Sequence, residues 1–378
     1  MKKIVYVVGG MLSPTGMGTI LSRKINWLAD NTNYELYMIL TERPDIPWCY
    51  EINPKVKWVN FNINFDELDT MPLYKKILHY WIKQRKYKKA FTKYLMEIRP
   101  DITVSALRRE INFINDIHDG SKKIGEIHFD RTFYRDFHSP FLPHFVNTFI
   151  KKQWIKLLIK NLKRLDRFVV LTHEDYDHWP ELDNKTVIPN SIPEYHGKPA
   201  QLSTEAAIAV GRYTWQKGFD LLIETWELVA KKYPNWILNI YGSGDSIEFI
   251  NIVKSKGLSR QIKCHPATPD IFNKYIESAF FILSSRYEGL PLVLLEAMSV
   301  GLPAVSFKCP CGPSDIISND KDGLLVENGN IRELANSIIY MIENKEKRQE
   351  FGLSSYKKAQ QYYPNQIMKQ WINLFESL

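Results

Sequence analysis

Two stretches in the second half of the chain place charged residues where an apolar strand gives way to a helix. The first, AVGRYTWQKGFDLLIETW, ends its apolar run at Gly211, carries Arg212 and Lys217 through a loop, and reaches Gly218 ahead of an apolar-periodic segment. Glycine lets a backbone approach a ligand closely, while the start of a helix offers free N–H groups and the positive end of a dipole to the same space. Two cations beside such a helix start suit a diphosphate. An isolated pair of this kind would equally well solvate a sheet edge, so the second stretch decides between the readings.

That stretch reads AFFILSSRYEGLPLVLLEAMSVGLPAVSF. An apolar strand, Phe280 to Leu283, leads to Glu288; Gly289 opens the turn, Leu290 follows, and Pro291 is expected at the first helical position, where a missing N–H costs nothing. The helix would end at Gly301. Glu296 falls among Leu294, Leu295, Ala297 and Met298, surroundings too apolar for a carboxylate without partners. A ribose diol would satisfy it, since a carboxylate accepts two hydrogen bonds at once, and a salt bridge to another helix would do so too. Glu288, just before the turn, is placed to meet a sugar beyond the phosphates.

The elements that position these residues form two series. With 378 residues, 44% hydrophobic and 24% charged, the chain is an ordinary globular protein long enough for two domains. Short strands are expected at Ile4–Val8, Tyr34–Leu40, Val56–Phe61, Ile102–Ser105, Lys123–His128 and Arg167–Leu171, separated mostly by helical patterns. Pro189, Pro193 and Pro199 with Gly197 mark a boundary. After it the alternation resumes: a strand at Ala206–Val210, helix Phe219–Lys232, strand Ile237–Tyr241, helix Ile247–Ser255, strand Phe280–Ser284, helix Pro291–Val300 and strand Ala304–Phe307. The expected domains are 1–192, for the acceptor, and 200–360, for a nucleotide-sugar, with a helix at about 361–378 packing back on the first. Both are expected to be α/β, doubly wound parallel sheets facing each other across a cleft, with the ligand beyond the carboxyl ends of the strands.

Arg212 and Lys217, with Glu288 and Glu296 separated by seven residues, resemble the retaining glycosyltransferases of family 4, which have the GT-B fold. The likeness continues through GLPAVSF, CGPSDII and GLLV, and is close over residues 206–330. It implies that Arg212 and Lys217 hold the donor's diphosphate, that Glu288 binds donor-sugar hydroxyls, that Glu296 holds the ribose, and that Gly211, Gly289 and Leu290 lie against the nucleotide-sugar. In the first half, the turn with Gly16 and Gly18 resembles the family's glycine loop, although its Gly-Met-Gly order departs from the usual adjacent glycines. His128, ending the expected strand IGEIH, resembles a histidine that touches the donor sugar. Asn190, in VIPNSIP, resembles this family's end of the first domain. The implied activity is retaining transfer of a hexose or N-acetylhexosamine, most simply from a UDP-sugar, to a lipid-linked or polysaccharide acceptor in bacterial surface glycan synthesis: capsule, O-antigen or exopolysaccharide.

Negative charge developing on the leaving diphosphate needs fixed cations or a divalent ion. Arg212, Lys217 and N–H groups near Gly218 and Leu290 would serve, so no cofactor and no metal is expected. The Asp-x-Asp of Asp175 and Asp177 reads as a helix-start cluster, and Cys309 and Cys311 as loop thiols without further zinc ligands. Four irregularly spaced cysteines suit a reducing cytoplasm, and no apolar run approaches a membrane span.

The net charge of +8 concentrates in the first half. Tyr74, Ile77, Leu78, Trp81, Phe91, Tyr94, Leu95 and Ile98 recur at helical spacing among lysines and arginines, and Ile150, Trp154, Leu158, Leu162 and Leu165 do the same. Basic amphipathic helices over about 74–98 and 149–167 suit an anionic membrane surface, hence a cytoplasmic protein peripheral to the inner membrane; two solvated helices packed on the sheet are the alternative. A nucleotide-sugar epimerase or phosphorylase would share the fold without needing an acceptor. A nucleic-acid-binding module would share the basic stretches but has no use for the two glutamates, so no nucleic-acid partner is expected.

Overall fold

The computed structural model describes residues 1–10, 16–43, 49–128, 131 and 144–378. It divides into two compact units: Met1–Leu171 with Tyr176–Ile188 and Met368–Leu378, and Thr172–Asp175 with Pro189–Ile367.

The strands of the first unit are β1 (Lys3–Gly9), β2 (Glu35–Leu40), β3 (Lys57–Asn60), β4 (Ile102–Ser105), β5 (Lys122–Glu126), β6 (Arg167–Val170) and β7 (Lys185–Val187). Along that stretch lie α1 (Gly16–Asn31), α2 (Leu73–Ile98), α3 (His144–Leu162) and the short α4 (His173–Asp177). The sheet order is β3-β2-β1-β4-β5-β6-β7, with every pairing parallel. The second unit contains β8 (Ala206–Val210), α5 (Phe219–Lys232), β9 (Ile237–Gly242), α6 (Ile247–Ser255), β10 (Ile262–Pro266), α7 (Ile271–Ile276), β11 (Phe280–Leu283) and α8 (Leu292–Ser299). It continues with β12 (Ala304–Lys308), α9 (Pro313–Ile316), β13 (Gly323–Glu327), α10 (Ile331–Glu343) and α11 (Lys345–Ala359); α12 (Pro364–Ser377) closes the chain, and from Met368 on it belongs to the first unit. The second sheet, β10-β9-β8-β11-β12-β13, is also parallel throughout.

Both orders reverse direction beside the first strand of the unit, at β1/β4 and at β8/β11, which is the switch point where open parallel sheets bind ligands. Burial explains the elements. All four residues of β11 are buried, as a parallel strand covered on both faces requires. In α5, Leu222, Ile223, Trp226, Val229 and Ala230 form one stripe against the second core, which also holds Leu238, Ile240 and Phe280.

Several local expectations are corrected. β5 stops at Glu126, so His128 lies two residues beyond it rather than at its end. Gly16 and Gly18 lie in the first turn of α1, not in a loop. A helical glycine is unfavourable, but a Cβ at Gly18 would come within 2.6 Å of the Tyr50 ring, so nothing larger fits without that ring shifting. Pro291 is the cap of α8 rather than its first residue: its backbone is extended (ψ 92°) and its carbonyl accepts the first helical bond, from Leu294 N at 3.1 Å.

The helix α2 divides along its length. Tyr87, Phe91 and Leu95 are fully buried, with Tyr87 edge-on to Phe91 and Phe113, whereas Tyr74, Ile77, Leu78, Trp81 and Ile82 are 54–71% exposed. The apolar residues therefore do not form one continuous face: the C-terminal half packs on the sheet and the N-terminal half presents its stripe to solvent. In the second basic stretch Leu158, Leu162 and Leu165 are buried, while Phe145, Phe149, Trp154 and Leu157 are exposed. Folding also brings acids to bases that lack them in sequence: Lys76 to Asp69, Lys83 to Glu67, and both Lys88 and Arg164 to Asp116.

Candidate functional site

In the second unit, β8 and β11 are neighbours at the switch point, so the loops that follow them are adjacent. Arg286 N donates to Gln216 O (2.8 Å), Ser284 Oγ to Lys217 O (2.9 Å) and Gln216 Nε2 to Tyr287 O (3.1 Å). These bonds hold the two sequence clusters as one rigid edge. The approach depends on Gly218, whose φ is +63°; a Cβ there would meet Ser284 O at 2.1 Å. Gly211 does related work: a Cβ would touch the Lys217 stem at 3.0 Å.

Across this edge Lys217 Nζ lies 2.7 Å from Glu288 Oε1, with side chains 13% and 7% exposed. Ser285 Oγ donates to the same oxygen at 2.6 Å, and Glu288 N donates to Pro310 O at 3.1 Å. The two residues expected at the diphosphate and the donor sugar thus form an ion pair with each other. Arg212 is exposed, and its guanidinium makes no hydrogen bond or ion pair among the described residues. An anion entering here would meet one free guanidinium and one ammonium that can exchange its carboxylate partner.

The two helix starts differ. At α5 the Asp220 carboxylate bonds first-turn N–H groups and grips Arg286 through both oxygens (2.8 and 2.6 Å). The free N–H groups expected near Gly218 are therefore already engaged. Burial opposes the Asp220 charge, but Arg286 and the N–H groups hold its carboxyl below the usual range. At α8 the N–H groups of Gly289 and Leu290 have no partner among the described residues, leaving that end open to an anion.

Glu296 is half-buried while Leu294, Leu295, Ala297 and Met298 are 0% exposed, so it occupies the open side of α8 rather than its core side. Its charge raises the pKa of the buried Tyr275, after burial itself. Asn190 is 3% exposed in the second unit. Cys309 and Cys311 are both buried; burial, then the charge of Glu288, pushes the Cys309 thiol well above its ordinary range, which makes it an inert neighbour. Asp175 stands in a helix start as expected, its N–H held at 3.0 Å by Thr172 Oγ1.

Sequence reasoning missed Asp220, Ser285 and Arg286. The signal was there for the last two, which lie just before Glu288 in SSRYEG, but the partners of Arg286 come from another strand end.

In the first unit the corresponding switch point opens on a cavity of about 160 Å³ lined by Gly9, Gly10, Thr41, Glu42, Arg108 and Arg109 among others. Glu42 is 7% exposed, and burial followed by Asp66 raises its pKa. Glu110, 1% exposed, is fixed by Ser105 Oγ (2.6 Å) and Arg108 N (3.0 Å). Carboxylates and guanidiniums converging on one cavity suit a polyhydroxylated ligand.

His128 also belongs to this unit, its side chain 3% exposed. Burial lowers its pKa from 6.5 to about 4; Glu126 opposes this, and Lys24 and Arg108 assist it. The unfolded chain therefore takes up this proton first as pH falls. Stability from the neutral ring is complete above about pH 6.5 and erodes toward pH 4, by up to about 3 kcal/mol. Urea unfolding of the parent and of His128→Asn across that window should show a steeper loss in the parent; parallel curves would contradict the buried neutral ring.

Two parallel α/β units with charged turns at the switch point of the second define a GT-B glycosyltransferase fold. The model of the glycosyl transferases group 1 matches residues 193–358. An uncharacterized glycosyltransferase of Haemophilus influenzae is 32% identical over 236 residues, 60% of this chain and 67% of that protein. The chain belongs to the group 1 glycosyl transferases. It is also 32% identical over 272 residues to the poly(ribitol-phosphate) alpha-N-acetylglucosaminyltransferase of Staphylococcus aureus, covering 70% of this chain and about half (52%) of that protein. Among solved structures, a Staphylococcus aureus TarM mutant in complex with fondaparinux, alpha-GlcNAc-glycerol and UDP superposes with a TM-score of 0.75 at 20% identity, over 99% of this chain and 100% of that one.

Proposed function

We propose that this protein transfers a hexose or N-acetylhexosamine from a UDP-sugar, with retention of configuration as in family 4, to a lipid-linked or polysaccharide acceptor of a bacterial surface glycan. The observation that carries the reading is the Lys217–Glu288 pair at adjacent strand ends, with the Arg212 guanidinium of the same loop as Lys217 unpaired, and the start of α8 open, among the described residues. The diphosphate displaces Glu288 from Lys217 and takes Arg212 and the Gly289 and Leu290 N–H groups; Glu288 then turns to the sugar hydroxyls, and Glu296 to the ribose. These fixed charges stabilise the leaving group, so the reaction proceeds without a divalent ion. The polar cavity at β1/β4 accepts hydroxyls of the acceptor. The names of the relatives support the surface-glycan setting and the bound UDP of the TarM complex supports the nucleotide.

Purified protein should be stabilised thermally by UDP more than by other nucleoside diphosphates, retain transfer in chelator, and give a product with the donor's anomeric configuration by NMR. Inversion would remove the mechanism, and donor turnover without an acceptor would favour an epimerase instead.

The acceptor brings the enzyme to an anionic membrane surface. Support comes from the exposed stripe Tyr74, Ile77, Leu78, Trp81 and Ile82, flanked by Lys75, Arg85 and Lys86, for which no ion pair is present among the described residues. No described helix is long and apolar enough to cross a membrane, so contact would be in the interface plane. Flotation with anionic vesicles should decline with salt and be lost in Leu78→Glu/Trp81→Glu; salt-insensitive absence of binding would end this part of the proposal.

A further inference from the structure

Four buried polar atoms without hydrogen-bond partners among the described residues gather around one carboxylate of the first unit: Tyr6 Oη, Glu126 Oε2, and both ring nitrogens of His128. They share one face of the sheet. Tyr6 pairs with Val104 and Val104 with Ile124, and Glu126 follows two residues later on the same side. From the helix layer Lys24 of α1 forms an ion pair with Glu126, the two side chains 4% and 1% exposed. Lys24 Nζ also lies 3.8 Å from the ring centre of Trp371 on α12. His128 Nε2 stands 3.4 Å from Glu126 Oε1.

As a stabilising device this is poor. A buried ion pair rarely returns its desolvation cost unless its remaining polar atoms are satisfied, and here Glu126 Oε2 is not. The expense has a use if the carboxylate sets the geometry of its neighbour. A carboxylate beside one imidazole nitrogen draws the ring proton to that nitrogen and leaves the other as an acceptor. With Nε2 facing Glu126, Nδ1 is that acceptor, buried and unpartnered.

We propose that Glu126 and Lys24 are positioning residues for His128: Glu126 fixes the ring and its tautomer so that Nδ1 accepts a donor-sugar hydroxyl, and Lys24, braced on Trp371, holds the Glu126 carboxylate in place through their ion pair. This rests on the reading that His128 meets the donor sugar. The depressed pKa of His128 keeps the ring neutral at neutral pH, as an acceptor must be. The C-terminal helix thereby takes part in the site through Trp371, although it carries no contact residue.

The test uses the full chain with a UDP-sugar it turns over, and UDP as a control ligand that lacks the sugar. Glu126→Gln should lower kcat for transfer at least tenfold while leaving the Kd for UDP within twofold. In a His128→Ala background the same change should have no further effect on kcat, because Glu126 acts only through the ring. Lys24→Met/Glu126→Leu, which replaces the pair by apolar residues of similar size, should regain the parent's thermal midpoint without regaining kcat; it decides the matter if the single variant fails to fold. Recovery of both midpoint and kcat in the double variant, or additive losses with His128→Ala, would overturn the positioning role. A parent chain that binds no nucleoside diphosphate and no sugar nucleotide would instead overturn the function on which it rests.

Discussion

Lys217→Ala should lower transfer by about 10²- to 10³-fold, the effect of removing one preorganised charge from a developing anion, about 3–4 kcal/mol. The same substitution strands Glu288. With its side chain only 7% exposed, the carboxylate loses its ion pair and keeps Ser285 Oγ as its side-chain donor. An unpaired buried charge of this kind costs about 1–3 kcal/mol, and in a chain of two sizeable units that lowers the thermal midpoint by several degrees. Lys217→Ala/Glu288→Ala separates the two effects: stability returns, since no charge is left unpaired, but transfer does not. Isothermal titration with UDP and initial rates on the same preparations measure both. Unchanged UDP affinity in Lys217→Ala would mean that the diphosphate sits elsewhere.

Gly218→Ala should be the most damaging single-methyl change in the second unit. The position needs φ +63°, which costs an L-residue about 1–2 kcal/mol, and the new Cβ would meet Ser284 O at 2.1 Å. Neither backbone can retreat cheaply, because Ser284 Oγ to Lys217 O and Arg286 N to Gln216 O tie the loops together on either side. Relief requires breaking that seam, and the total is expected at about 3–5 kcal/mol, the range of the severe point substitutions. Thermal unfolding should show a midpoint lower by about 6–20 °C, and UDP binding should weaken in parallel because Lys217 moves with the loop. Ala at Gly257, where φ is +69° with nothing within 4 Å, is the matched control: it carries the conformational cost without the collision. Equal losses at the two positions would show that the loop seam is not the constraint described.

The second unit was largely legible from residue order, because its signals are local. The Phe219–Lys232 and Ile247–Ser255 helices and the Ala206–Val210 strand have the bounds that periodicity suggests. The pairing of the Lys217 and Glu288 turns followed from two strand-to-helix transitions in a doubly wound pattern, which the order β10-β9-β8-β11-β12-β13 brings side by side. The first unit was read less well. β7 is three half-buried residues and α4 a short helix, too short for any period to register. Along α2 a single amphipathic pattern is used in two ways, core at Phe91 and solvent at Trp81, since periodicity reports which residues share a face and not what covers it.

Residue types and spacing by themselves determined the α/β class and singled out Arg212, Lys217, Glu288 and Glu296, at or after strand ends, as candidates for a site. Tertiary structure alone decided which charges are spent on each other. Asp220 holds Arg286 and closes the start of α5, Glu67 and Asp116 temper the basic helices, and Lys24 meets Glu126 and Trp371 from places 102 residues and more away. The reason is physical: backbone periodicity is set by near neighbours along the chain, whereas the energy of a charge depends on burial and on partners that only the folded sheet order brings within hydrogen-bonding reach.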